Sequence, residues 1–183
     1  MTEALTTDRL ILRRWREADR APFRAINADP RVMEFFPALL TPEETDEGVA
    51  RIEQHFEQHG FGLYAAELIE TGTFIGFIGL SVPAFEARFM PAVEIGWRIA
   101  HNYWGKGLAT EGALAVVRHA FGTLGLSSLV SFTSTANMRS RRVMEKIGMS
   151  RDAAADFDHP RIPEGHPLRR HVLYRLHSHG DIQ

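Results

Sequence analysis

The chain has 183 residues, which suits one domain. Apolar residues make up 44% and charged residues 24%, a balance that excludes a disordered chain. With 21 Lys and Arg against 23 Asp and Glu the net charge is -2, so nucleic acid is not an expected partner, and the absence of cysteine removes disulfides, thiolate-bound metals and a cysteine nucleophile.

The first residues, MTEALTTDRL, lack the basic-then-apolar order of a secretory signal. Arg9 to Trp15 is strand-like, and Glu17 to Ala28 reads as a helix with Pro30 just beyond it. Thr41-Pro42-Glu43-Glu44 joins an N-cap, a proline at the first helical position and a glutamate at the third, so a helix is predicted from there to about His59, ending at Gly60. Leu63 to Ile69 and Thr73 to Ser81 read as strands joined at Thr71-Gly72. The most apolar stretch, Phe74 to Phe85, is too short for a bilayer and contains Pro83, so no membrane association is expected and a cytoplasmic protein is. A proline-bearing loop follows from Val82 to Pro91. Ala92 to Ala100 is the clearest strand, with Val93, Ile95, Trp97 and Ile99 on one face and Glu94, Gly96 and Arg98 on the other. Ala113, Leu114, Val117, Phe121 and Leu124 then recur at helical spacing up to Gly125. Ser128 to Thr133 reads as a strand and Asn137 to Ile147 as a helix closed by Gly148. The remainder, Met149 to His177, reads as two strands around a loop from His159 to Pro167. The sum is one mixed α/β domain.

Three segments carry chemistry. Tyr103 to Thr110 joins a strand to a helix through Gly105 and Gly107. Glycines let a ligand approach the backbone, and a helix start offers unpaired N–H groups to an anion such as phosphate. Lys106 adds a point charge. A Walker A loop is excluded, because the place of its first glycine is Ala100 and Gly107 follows the lysine. A dinucleotide-binding glycine fingerprint fails at Thr110. The second segment is Asn137-Met138-Arg139-Ser140-Arg141-Arg142, whose arginines oppose the dipole of the helix they open. An anionic ligand relieves that conflict; the simpler reading is a solvated basic face behind a plain Asn137 cap. The third is Glu94, Gly96 and Arg98: Glu94 as a base beside a gap at Gly96, or a Glu94–Arg98 ion pair on a wet face.

Together these segments resemble the GCN5-related N-acetyltransferase superfamily. The likeness runs from Arg9 to about Leu176. The wording Glu94-Ile95-Gly96-Trp97, then Tyr103 to Glu111, is similar to the branch that acetylates ribosomal-protein N-termini (Rim-type). The resemblance implies a single N-acetyltransferase domain, with a mostly antiparallel mixed sheet of about seven strands flanked by helices and splayed at the acetyl-CoA site. It implies that backbone amides from Gly105 to Thr110, including those of Lys106, Gly107 and Ala109, hold the pyrophosphate, with Trp104 in the loop's Gln/Arg place. The strand edge at Trp97 and Ile99 would pair with the pantetheine arm and Asn137 would hydrogen-bond it. The general-acid tyrosine of many members is Met144 here, and Ser140 is the substitute beside the departing thiolate. No metal is implied, and the Rim-type relatives suggest a homodimer.

The reaction expected is direct attack of an amine on the acetyl thioester, with Glu94 as base. At neutral pH an α-amine is about a tenth neutral and a lysine below about a thousandth, which favours an α-amine. The acceptor is a protein or peptide N-terminus or a small amine such as an amino acid, polyamine or antibiotic. A non-catalytic acyl-CoA sensor and an acetyltransferase of charged tRNA are the other readings, the latter disfavoured by the net charge. The resemblance implies an acceptor pocket at Phe35-Phe36-Pro37, whose simpler reading is core packing and a helix stop. The His159–Pro167 loop is long enough for a lid. His55 and His59 read as a surface pair because the zincin order H-E-x-x-H is broken by Phe56, and His177 with His179 would bind metal only adventitiously.

Overall fold

Alternating and continuous apolar runs set the strands, and the strands set the sheet. The computed structural model describes residues 4–178. In chain order the elements are β1 (Leu5–Thr6), β2 (Leu10–Arg13), α1 (Arg20–Asn27), α2 (Pro42–His59), β3 (Leu63–Leu68), β4 (Phe74–Ser81), β5 (Glu94–Ile99), α3 (Leu108–Gly122), β6 (Ser128–Ser134), α4 (Met138–Lys146), β7 (Ser150–Arg151), β8 (Phe157–Asp158) and β9 (Arg170–His177). The capping box at Thr41 forms as read, with the Thr41 side chain accepting from the Glu44 N–H and Gly60 closing α2 in a left-handed conformation. The helix expected from Glu17 starts later. Glu17–Asp19 is a single tight turn, because the Asp19 carboxylate is drawn back onto the Arg16 N–H at 2.7 Å.

The sheet order is β1-β2-β3-β4-β5-β6-β9-β7, with β8 also paired to β9. It has nine strands among the described residues rather than about seven, because the ends carry the two-residue strands β1, β7 and β8. Every adjacent pair is antiparallel except β5 with β6. β4 is buried along nearly its whole length because helices cover both of its faces. On one face Gly112 of α3 meets Ile78, where a Cβ on Gly112 would stand 2.4 Å from the Ile78 side chain. On the other, Phe23 of α1 sets its ring edge-on to Phe77 at 5.9 Å. No helix among the described residues is long and apolar enough to cross a membrane.

One ion-pair network lies inside this frame. Arg13 is buried, and its guanidinium donates to Asp19 at 2.7 and 2.9 Å and to Glu67 at 2.6 and 2.8 Å. Asp19 and Glu67 are the two anions on the Arg13 guanidinium, and Arg16 also reaches Glu67 at 3.1 Å, so neutralising either carboxylate leaves a buried guanidinium short of an anion. Asp19→Asn should lower the unfolding free energy by about 3 kcal/mol in urea titration; a change within experimental error would contradict this account of the network.

Candidate active site

The site begins with what β5 does not do. It pairs with β4 from Glu94 to Ile99 but bridges β6 only between Glu94 and Val130. Next to that bridge the Val130 N–H donates to the Val93 carbonyl at 2.9 Å. Beyond it the two parallel strands run unpaired toward their carboxyl ends, so the sheet opens as a wedge. β6 does not drift, because β9 holds it from Ser128 to Ser134. A cavity of about 660 Å³ occupies the opening. Gly96 of β5 and Ser131 and Thr133 of β6 line it with small groups.

At the mouth of the wedge stands the turn into α3. Trp104 anchors it by donating its indole N–H to the Ile99 carbonyl at 2.7 Å. Gly105 and Gly107 both adopt positive φ, at 74° and 77°. Gly107 is the N-cap and supplies no side chain, so the first N–H groups of α3 lack a side-chain acceptor. Trp97, Ile99, Trp104, Gly105, Gly107, Ala109 and Thr110 all line the cavity. Lys106 does not. Lying between two left-handed glycines, it is turned outward, with its ammonium 5.2 Å over the Tyr103 ring and its carbonyl accepting from Arg9 at 3.0 Å.

α4 forms the opposite wall. Asn137 caps it, with Oδ1 accepting from the Ser140 N–H at 3.1 Å and Nδ2 donating to Thr133 Oγ1 at 2.9 Å. Ser140 lines the cavity one turn in, whereas Met144 is buried in the core and takes no place in the lining. The arginines of this helix divide their work. Arg139 pairs with Glu34 and lies 4.5 Å over the Trp104 ring. Arg141 turns away to Tyr174 and the Thr135 carbonyl. Arg142 lines the cavity, joined by Lys146, which the sequence reading passed over. Arg139 also borders the cavity, and an uncapped helix start sharing one cavity with these cations suits a diphosphate.

The inner end holds Glu94. Its carboxylate takes a long hydrogen bond of 3.5 Å from the Ser81 hydroxyl. Burial pushes it up to about 8, with the Ser81 bond opposing only weakly. The anticipated Glu94–Arg98 pair does not form; Arg98 donates instead to Asn27 Oδ1 at 2.7 Å. Phe35 and Phe36 line the cavity and are not core residues, Phe36 being 39% exposed. The C-terminal loop contributes His159, Arg161 and Ile162. Arg161 ties the loop to the Ala84 carbonyl, and His159 packs 4.8 Å from Phe85 and 5.0 Å from His171. Burial first, then the charges of His171 and Arg161, hold His159 down to about 4, so it is neutral near pH 7. His55 has a structural post: one ring nitrogen contacts the Phe61 carbonyl at 2.9 Å and the other accepts from the Val82 N–H at 3.0 Å, while His59 is exposed. His179 lies outside the described residues.

A splayed β5–β6 pair with a glycine turn and an uncapped helix at its mouth is a distinctive arrangement. The family profile described as Acetyltransferase (GNAT) domain matches residues 9–150. The chain belongs to the GNAT acetyltransferase family. The Bacillus subtilis (strain 168) protein YkkB, named as uncharacterized, is 33% identical over 146 residues, covering 79% of this chain and 84% of that protein. The acetyltransferase from Agrobacterium tumefaciens str. C58 shares 32% identity at a TM-score of 0.79, covering 97% of this chain and 95% of that one. Mycobacterium smegmatis RimJ, solved with CoA-disulfide, has the same fold at 18% identity and a TM-score of 0.77, covering 100% of this chain and 90% of that one. GNAT acetyltransferases take acetyl-CoA as the acetyl donor.

The state of Glu94 has a consequence for this GNAT domain that needs no substrate. An unfolded chain ionises this carboxyl near its ordinary 4.5, whereas the native state keeps the proton to about 8. Between those values the folded form binds more protons, so this group's contribution falls as pH rises through the window. Glu94→Gln removes it. The melting temperature of Glu94→Gln relative to wild type should therefore climb from about pH 5 to about pH 8. A difference that stays constant over that range would show that the native carboxyl is not held protonated.

Proposed function

We infer that this chain transfers the acetyl group of acetyl-CoA directly to a primary amine seated at the Glu94 end of the cavity, with Glu94 as general base. The observation that carries this reading is the half-buried carboxyl of Glu94 on the wall of the wedge, at the bridge where β5 and β6 part.

The residues divide the task by place. The first N–H groups of α3, from Leu108 to Thr110, meet the diphosphate, with Arg142 and Lys146 supplying charge. The unpaired β5 edge at Trp97 and Ile99 accepts the pantetheine arm as a further strand, and Asn137 keeps a second amide hydrogen free for it. Acetyl-CoA supplies the activated acyl carbon and a thiolate leaving group. The amine nitrogen bonds to that carbon as the carbon–sulfur bond breaks. Glu94 takes the proton the nitrogen sheds. The Trp97 N–H, on the open edge of β5, faces the oxygen on which negative charge develops. Ser140 donates a hydrogen bond to the departing sulfur, filling the post that Met144 cannot.

Proton affinities support an α-amine as acceptor. A base at about 8 matches an α-amine at about 7.7–8.0, so the transfer is close to neutral in energy. A lysine near 10.4 lies about 2.4 units above it, a deficit of about 3 kcal/mol. Protein N-termini and small α-amines share this chemistry.

With a weakly basic amine that is already neutral at about pH 6, kcat/KM should rise with pH through about 8, following ionisation of Glu94. Glu94→Gln should abolish that limb and lower kcat about 10²–10⁴-fold. A full rate and an intact limb in the variant would remove Glu94 as the base. Ser140→Ala should reduce single-turnover thiol release by about tenfold, a loss of about 1.4 kcal/mol. A smaller penalty with acceptors whose attack limits the rate would accord with a role at the leaving group, and an undiminished rate with every acceptor would refute it.

A further inference from the structure

A second charge faces the cavity from the same strand as Glu94. Glu94, Gly96 and Arg98 alternate along one face of β5, and all three line the cavity. Arg98 Nη1 donates to Asn27 Oδ1 at 2.7 Å, while its Nε is buried with no partner. The guanidinium carbon lies 4.3 Å from the Phe36 ring centre and 5.5 Å from that of Phe77. Burial lowers its pKa to about 10, and no acidic neighbour offsets this.

Arg13 shows the contrast within the same chain. Where a guanidinium is closed off for the fold alone, Asp19 and Glu67 both approach within 3 Å. Arg98 has a neutral amide oxygen and two aromatic rings. A desolvated cation in such company is unfavourable unless an anion joins it. The Arg98 side chain borders the cavity, and a planar guanidinium is the side chain best shaped to hold a carboxylate.

We propose that Arg98 binds a carboxylate carried by the acceptor amine. That carboxylate is the α-carboxylate of a free amino acid or an acidic side chain near a peptide N-terminus. The proposal rests on the reading of Glu94 as the residue that receives the amine. Gly96 makes the two ends compatible. A Cβ built there would lie 3.9 Å from Glu94 Oε1 and would touch no backbone, so the glycine keeps open the floor between the two charges. The acceptor lies along that floor with its amine toward Glu94 and its carboxylate toward Arg98, and Phe35 and Phe36 border its carbon skeleton. Arg98 turns toward Asn27 at the end of α1 and toward Phe36.

Calorimetric titration with coenzyme A already bound tests this without acetyl transfer. One arm compares free L-amino acids with their amides. The other compares short peptides bearing Asp or Asn at the second position. In one of the arms the carboxylate member should bind at least tenfold tighter, which is about 1.4 kcal/mol, and that arm identifies the source. Arg98→Met should bring the ratio close to one, and Arg98→Lys, which keeps the charge but not the fork, should retain part of it. Coenzyme A binding and circular dichroism report whether each variant is folded, and if Arg98→Met is not, Arg98→Gln takes its place. Equal affinity or no binding of acid and amide in both arms overturns the proposal, as does a preference that survives in a folded variant lacking the guanidinium. Failure of the acetyl-transfer reading would show separately, as no amine-dependent thiol release from acetyl-CoA.

Discussion

A single bridge between two parallel strands governs the site. β5 and β6 touch at Glu94 and Val130 and then part, while each stays fully committed to its other neighbour. A sheet normally satisfies its backbone groups by continuing its ladders, so an interruption between two interior strands leaves donors and acceptors for a guest. The helices follow from the same constraint. The turn after β5 must carry the chain away from the opening, and its two left-handed glycines aim the start of α3 at the mouth. α4 does the same after β6, with Asn137 tied to Thr133 on that strand. Opposite ends of one cavity are thereby given opposite characters: backbone N–H groups and cations at the mouth, a proton-holding carboxylate within.

Charge is handled in two ways. In the β2 corner Arg13, Asp19 and Glu67 neutralise one another, and the network serves the fold. On β5 two ionisable groups share a face without pairing. Glu94 responds by holding its proton, which relieves its burial. Arg98 cannot be relieved that way near neutral pH and lies against aromatic rings instead. An unpaired cation of this kind is unfavourable for stability and open to an anionic partner.

Much of this was legible in the sequence. Among the described residues, periodicity and caps located every strand longer than two residues and all four α-helices, since each has a local cause: Thr41 and Glu44 for the start of α2, Gly107 for α3, Asn137 for α4. The two-residue strands β1, β7 and β8 carry no period of their own and exist through β2 and β9. Asp19 shifted the start of α1 through a contact with Arg13, six residues back. The glycine turn, singled out by its motif, Glu94, by alternation, and Asn137 and Ser140, by family resemblance, all line the one cavity. Alternation put Glu94 and Arg98 on one face but could not say whether they met, because strand neighbours on one face are separated by a full pleat. Lys106 shows the converse limit: a residue inside a motif can point outward when flanking glycines turn the chain. His159, Arg161 and Lys146 reach the cavity through tertiary packing that leaves no local signal.

The central claim is that the β5–β6 wedge receives acetyl-CoA. A crystal structure of this chain with coenzyme A tests it most directly. The account predicts the pantetheine arm lying between β5 and β6 beyond the Glu94–Val130 bridge, the diphosphate at the N–H groups of Leu108 to Thr110, and the sulfur between Glu94 and Ser140. Coenzyme A bound outside the wedge, or a thiol end remote from Glu94, would contradict it.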